Sequence, residues 1–282
     1  MRFKTLFALV LLAAADAGAT LPESTHPAML DPSKATAKAP ETFKAKFDTT
    51  KGDVVFECTR AWAPNGVDRF YDLVRIGFFD GVAIFRVVPG FVAQWGIHGD
   101  PKVSAAWQSA NIPPDPPKQS NTRGMLTYAM GGSPDTRSTQ LFVSYGDNSQ
   151  LDAQGFAPIC KVTEGMEVAD SFYSGYGEKL THQQGAIAAQ GNAYLEKNWP
   201  KLDYIKKASI VGEAPDPQLA WTTPTETKDE STSTATSESG GAVPWIIGGL
   251  IVVGLGFMMF RGKKEEPPPP PPKKKRKKKP QS

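Results

Sequence analysis

The sequence predicts a mostly β domain, a barrel or a sandwich, followed by a single membrane-spanning helix near the C-terminus. Three observations predict this. Five short strand-like runs (Val82–Val88, Met125–Ala129, Gln140–Tyr145, Phe156–Val162 and Tyr204–Val211) are divided by loops rich in Gly, Pro, Asn and Asp. Only two segments before residue 212 are read as helices. Residues 240–260 are uncharged and mostly apolar, a run of about 21 residues, close to the roughly 20 that a span requires.

The elements follow in order. Phe43–Phe47 and Val54–Phe56 flank the turn-rich Thr50-Lys51-Gly52-Asp53, which predicts an opening hairpin. Ala63-Pro64 then starts a helix, with Val67, Phe70, Tyr71 and Val74 on one apolar face and Gly77 as its stop. The strand-like runs come next, and Met166–Tyr173 reads as a second, short helix.

Composition narrows the partners. The chain has 282 residues, 40% hydrophobic and 22% charged, sufficient for a folded core. Net charge is +3, but residues 261–282 hold ten Lys/Arg against two Glu, so the rest of the chain sums to −5. The basic character belongs to the tail, and no nucleic-acid partner is expected of the domain. Cys58 and Cys160 form no CxxC or Cys/His motif, and His26, His98 and His182 are scattered. Neither a metal, a cofactor nor a nucleophilic triad is predicted. An oxidising compartment permits a disulfide between Cys58 and Cys160 if their Cα atoms come within about 7 Å. Two buried free thiols are the alternative.

The flanks suggest export and anchoring. Residues 1–19 read as a signal peptide: Arg2 and Lys4, an apolar Leu6–Ala15, and small-residue cleavage sites at Ala15-Asp16-Ala17 and Ala17-Gly18-Ala19. Residues 20–43 read as a linker, 44–212 as the domain and 213–241 as a disordered Ser/Thr-rich stalk. Residues 242–260 read as the transmembrane helix, with Trp245 near one end and Arg261, Lys263 and Lys264 at the other, which puts the tail in the cytosol and the domain outside it. The localisation expected is a single-pass membrane protein of the secretory pathway or cell surface. In the tail, six prolines (267–272) form a stiff spacer before the heptabasic run 273–279. That run suits anionic lipids, at about 1 kcal/mol per charge, or serves only as a topology anchor. A nuclear localisation signal is the competing reading.

The most informative segment is Phe85-Arg86-Val-Val-Pro89-Gly90-Phe91-Val92-Ala-Gln94. It sets one cation in an apolar run, and an unpaired buried charge is costly. Arg86 therefore faces water, pairs with a carboxylate, or lines a pocket for a polar ligand group.

This run resembles the signature of the cyclophilins, peptidyl-prolyl cis–trans isomerases. Two further blocks agree in order: Gly124–Gly131 followed by Ser138–Val143, and Leu151–Val162. Ala63-Pro64 and Asp68-Arg69-Phe70 resemble the family's first helix. The resemblance covers about Lys44 to Val211 and implies a closed antiparallel eight-stranded barrel capped by two helices. Residues 173–204 resemble an insertion before the last strand found in a bacterial-type subgroup, with no function assigned.

The chemistry implied needs no nucleophile, metal or redox group. The barrier of about 18–20 kcal/mol reflects lost amide resonance, and a catalyst must favour the twisted amide over both planar forms. By the resemblance Arg86 supplies hydrogen bonds to that amide and Gln94 holds the peptide carbonyl or orients Arg86. Phe91, Val92, Phe142 and Leu151 line the proline slot, and Phe156 falls where the family often has a histidine. The backbone of Ala129, Met130 and Gly131 resembles the edge that binds extended substrate, and Gln140 matches a pocket glutamine. Ordinary core is the competing reading for the phenylalanines, and a salt bridge for Arg86.

Departures from the family pattern bear on specificity. Gln150 stands where many members have a tryptophan that contacts cyclosporin, so strong binding of that drug is not expected. Phe156 removes a polar group; Val92 replaces a methionine, Met130 an asparagine and Trp95 a glycine, and Gly131–Ser138 is one residue longer. The expected function is isomerisation of Xaa-Pro bonds in proline-containing client polypeptides, assisting folding at a membrane. The alternatives are a catalytically weak proline-peptide binding module and a membrane scaffold in which the tail acts and the domain is a passenger.

Overall fold

The computed structural model describes residues 23–218 and 221–222. The expected signal peptide (1–19), transmembrane helix (242–260) and basic tail (261–282) lie outside them. Among the described residues no helix is long and apolar enough to cross a membrane.

In chain order the strands are β1 (Glu23–Ser24), β2 (Thr42–Thr49), β3 (Gly52–Thr59), β4 (Val82–Ile84), β5 (Arg86–Val88), β6 (Val92–Trp95), β7 (Met125–Tyr128), β8 (Leu141–Ser144), β9 (Pro158–Glu164), β10 (Asp203–Ile210) and β11 (Trp221–Thr222). The helices are α1 (Pro64–Arg75), α2 (Pro101–Trp107), α3 (Met166–Asp170) and α4 (Gln184–Asn198). Nine strands form one antiparallel sheet in the order β4-β10-β2-β3-β9-β7-β8-β6-β5. Its two end strands are consecutive in the chain, separated by Phe85 alone, so the sheet curls into a nearly closed barrel. The expected count of eight is corrected here: the run 82–88 is split at Phe85, with β4 pairing to β10 and β5 to β6.

Alternation builds the core. Along β2, Phe43, Ala45, Phe47 and Thr49 are buried while the residues between them reach water. The β2–β3 hairpin turns through Thr50-Lys51 with Thr49 opposite Gly52, whose φ of 129° suits glycine. Inside the barrel Phe47 packs edge-on to Phe56 with ring centroids 5.2 Å apart. Trp95, where the resemblance expects a glycine, turns into the same interior, 6.0 Å from Phe47 and 6.3 Å from Phe56. Cys58 and Cys160 lie opposite each other in the β3–β9 register and are joined by a disulfide, with Cα atoms 4.0 Å apart.

Helix α1 buries Val67, Phe70, Tyr71 and Val74, the predicted face, against this core. Each such side chain contributes about 1.5–3 kcal/mol. Its N-terminus has no capping side chain of its own, since Ala63 precedes Pro64. The carboxylate of Asp115 takes that part, accepting from Asn65 N at 3.1 Å and Gly66 N at 2.9 Å. Asp115 also pairs with the fully buried Arg137 at 3.2 Å, and Arg137 in turn donates to the Pro113 carbonyl.

There are four α-helices among the described residues, where two were expected. The signal for α2 is Asp100-Pro101: Asp100 accepts from Lys102 N and the proline occupies the first turn. Helix α4 shows almost no amphipathic period and is broken at Gly191, where φ is 63°. A Cβ there would lie 1.9 Å from the Gly99 carbonyl oxygen, so glycine lets α4 close on the start of α2. The second expected helix is shorter than 166–173, ending at Asp170.

The segment read as a linker packs on the domain from Glu23 onward. Ala28 and Met29 are buried, and the Met29 carbonyl accepts from Trp107 Nε1 at 3.0 Å. Ala37 N and Ala39 N donate to the α1 carboxylates of Asp72 and Asp68 at 2.9 and 3.1 Å. Such backbone-to-carboxylate anchoring leaves no apolar period to read. The start of the expected stalk is also engaged: Asp216 pairs with Arg75 at 3.0 Å, and β11 pairs with β1.

Removing the Asp115 carboxylate strands Arg137 as a buried charge and uncaps α1. Asp115→Ala is expected to destabilise the protein by about 3–5 kcal/mol, read as a lowered urea midpoint at unchanged slope.

Candidate functional site

The site grows from strand alternation on the outer face of the barrel. Ala93 and Trp95 of β6, Leu141 and Val143 of β8, and Leu126 and Tyr128 of β7 point into the core. Their neighbours Gln94, Phe142 and Thr127 therefore share the opposite face. The pairing puts Arg86 opposite Gln94, Gln94 opposite Phe142, and Phe142 opposite Thr127. One row across four strands runs from a cation through an amide to an aromatic ring.

Arg86 Nη1 donates to Gln94 Oε1 at 2.9 Å, and its guanidinium stands over the Phe91 ring at 5.4 Å. Gln94 Nε2 donates to Gln140 Oε1 at 2.9 Å, and Gln140 Nε2 to Gln184 Oε1 at 3.1 Å. The row continues into an apolar cluster of Val92, Phe142, Leu151 and Phe156, against which Phe91, Ala129 and Met130 pack partly exposed. Phe142 and Phe156 meet edge-on at 5.8 Å.

Irregular segments are tied down to hold these side chains. The Phe91 carbonyl accepts from Tyr145 N at 2.7 Å and Asn148 Nδ2 at 2.9 Å, fixing the Pro89-Gly90 turn. On the opposite wall the fully buried Asn121 donates to the Phe156 carbonyl at 2.9 Å and accepts from Thr127 Oγ1 at 2.7 Å. Asp152 accepts from Asn121 and Ser120, and these bonds outweigh its desolvation and hold its carboxyl below the usual range. The edge after β7 is partly committed: Ala129 N donates to the Gln140 carbonyl at 2.9 Å and Gly131 N to Thr136 Oγ1 at 2.7 Å. Those two N–H groups are used within the chain.

The structure thus brings together Arg86, Gln94, Gln140, Phe91, Val92, Phe142, Leu151, Phe156, Ala129 and Met130, with Gly131 at the rim. Cys58 and Cys160 lie apart from them in the core. Three polar residues escaped the sequence reading. Asn121 and Gln184 carry no motif, and Glu178 lies in the insertion. Glu178 accepts from Arg86 Nε at 2.8 Å and Nη2 at 2.7 Å, so Arg86 has a carboxylate partner while its guanidinium stands over Phe91, which packs on the apolar cluster. Among the described residues no group of three or more His, Cys, Asp or Glu is placed to hold a metal.

Desolvation alone would raise the Glu178 carboxyl. Hydrogen bonds from Arg86 and Thr181, with the charges of Arg86 and His182, outweigh it and hold the group below its ordinary 4.5. A carboxylate so depressed adds stability that is present above 4.5 and lost as pH falls through its folded value. A carboxyl-carbon NMR titration should place the Glu178 midpoint below 4.5, and Arg86→Ala should move it upward.

The nearly closed barrel carries an arginine–glutamine pair beside an apolar cluster, and sequence comparison defines the family. The model of the cyclophilin-type peptidyl-prolyl cis-trans isomerase/CLD family matches residues 44–191, and the chain belongs to that family. Peptidyl-prolyl cis-trans isomerase A of Dickeya dadantii is 34% identical over 131 residues, 43% of this chain and 66% of the relative. The Helicobacter pylori peptidyl-prolyl cis-trans isomerase is 31% identical over 142 residues, 48% of this chain and 83% of the relative. Peptidyl-prolyl cis-trans isomerase B of Escherichia coli is 28% identical over 178 residues, covering 59% of this chain and 98% of the relative.

Proposed function

We propose that this chain catalyses cis–trans isomerisation of Xaa-Pro bonds in client polypeptides and so assists their folding. The observation that carries the reading is the outer-face row in which Arg86, paired with Gln94, stands beside the cluster of Val92, Phe142, Leu151 and Phe156. The proline ring enters the apolar cluster, where burial holds it without fixing its amide geometry. As the bond twists, conjugation is lost, and electron density gathers on the prolyl nitrogen. The Arg86 guanidinium, a fixed fork of donors, meets that density with hydrogen bonds. Gln94 keeps the guanidinium at the pocket edge through Nη1. No bond to the substrate forms or breaks, so the gain comes from favouring the twisted amide over both planar forms.

In the full chain, Arg86→Ala is expected to lower kcat/KM for a Xaa-Pro peptide by about 10²–10³-fold, the loss typical of one preorganised donor group. Protease-coupled isomerisation checks this, and equal rates in wild type and variant would sink the assigned mechanism. A chain that binds proline peptides but never accelerates them is the binding module instead.

We also propose that the enzyme is tethered to a membrane with the domain outside the cytosol. The support is in the sequence: the uncharged segment 242–260 with a basic flank behind it, and a signal-like segment at 1–19. The expected result is that the protein stays in the pellet after alkaline carbonate extraction of membranes. In sealed vesicles with the cytosolic face outward, protease should trim the C-terminal tail and leave the domain protected, and release of the whole chain by carbonate would overturn the tether.

A further inference from the structure

The insertion between α3 and β10 reaches the site twice. Glu178 takes Nε and Nη2 of Arg86 at 2.8 and 2.7 Å, and Gln184 holds Gln140, which holds Gln94. We infer that Glu178 is a positioning residue for the isomerase, fixing the rotation of the Arg86 guanidinium before substrate arrives. This rests on the isomerase reading of the site.

The arithmetic of donors supports it. A guanidinium carries five N–H groups. Glu178 uses the one on Nε and one on Nη2, and Gln94 uses one on Nη1. One N–H remains on each terminal nitrogen, so the pairing leaves donors for the prolyl amide while removing the freedom of the fork. A two-point arginine–carboxylate pair is directional as well as attractive. Arg86 is only 14% exposed, so the pair is screened less than an ordinary surface bridge, although Glu178 itself is 50% exposed.

The insertion is built to hold that carboxylate. Thr181 Oγ1 donates to Glu178 Oε2 at 2.7 Å, and Thr181 N to the Glu178 carbonyl at 3.0 Å, within the 3₁₀ turn that follows Glu178. Leu180, in the same turn, is fully buried in a cluster with Ile187 and Leu195 of α4 and with Phe85, the residue before Arg86. The side chain that breaks the barrel strand is therefore also the one against which the insertion packs. The cost of ordering the guanidinium is met during folding instead of during catalysis.

The test is a double-mutant cycle in the full chain. Rates of a Xaa-Pro peptide are read by NMR exchange for wild type, Glu178→Ala, Arg86→Ala and the double variant. Glu178→Ala is expected to lower kcat about tenfold and to change KM by less than about twofold. Glu178→Gln, whose single oxygen accepts one of the two bonds, is expected to fall between. In the Arg86→Ala background Glu178→Ala is expected to add nothing. The Arg86 Nε–H signal, identified by its loss in Arg86→Ala, is expected to exchange slowly with water in wild type and fast in Glu178→Ala. A wild-type chain without acceleration overturns the isomerase reading and the positioning role with it. An active wild type whose Glu178→Ala variant is equally fast or faster overturns the positioning role alone. So does a loss that recurs in the Arg86→Ala background, because Glu178 would then act on the fold and not through Arg86.

Discussion

Everything at the site depends on the two-residue period of a sheet that nearly closes on itself. Residues that alternate along β6, β7 and β8 divide into a core set, such as Trp95, Leu141 and Tyr128, and an outer set. Because strand pairing aligns Arg86, Gln94 and Phe142 directly opposite one another, the outer set becomes a continuous row from a charge to a buried aromatic ring. A slip of one residue in any of these pairings would send Arg86 toward the core and Val87 to the surface. The apolar interior therefore specifies the site as strictly as it specifies the fold. Trp95 belongs to this argument: its bulk fills the interior between Phe47 and Phe56 and locks the face on which Gln94 emerges.

The irregular parts obey a different constraint, the need to satisfy buried polar groups. Asn121 bonds Thr127, Asp152 and the Phe156 carbonyl, so the wall carrying Phe156 is set by one buried amide. Asp115 does similar work elsewhere, capping α1 and pairing with Arg137. These networks are rigid because each broken bond would leave a desolvated group unpaired. They also explain why long loops between β6 and β9 can present side chains as reliably as strands do.

Phe85 joins the two constraints. It ends β4, starts the break before Arg86, and gives its ring to the insertion's own small core with Leu180, Ile187 and Leu195. The insertion is thus packed against the residue that precedes Arg86, and its polar residues Glu178 and Gln184 bond to the two ends of the row Arg86, Gln94 and Gln140. The ion pair that the sequence allowed for Arg86 is present, and the same guanidinium stands over Phe91 beside the apolar cluster. The guanidinium is large enough to bind a carboxylate on one edge and keep donors on the other.

The sequence by itself determined the β class, the opening hairpin and the apolar face of α1, all local patterns written in spacings of two or three to four residues. The residues gathered around Arg86 were expected only through the resemblance of ordered blocks to the cyclophilins, not from any spacing. The sequence did not show that residues 23–43 pack on the domain, because their contacts are backbone donors to Asp68 and Asp72. It missed α4, whose polar and apolar residues have no helical period because Gly191 breaks the helix. Glu178 and Gln184 were equally hidden: each lies more than forty positions from its partner, and a single carboxylate or amide in a polar stretch carries no pattern. Only the tertiary structure decided how the arginine is held, since that depends on which distant chain returns beside it.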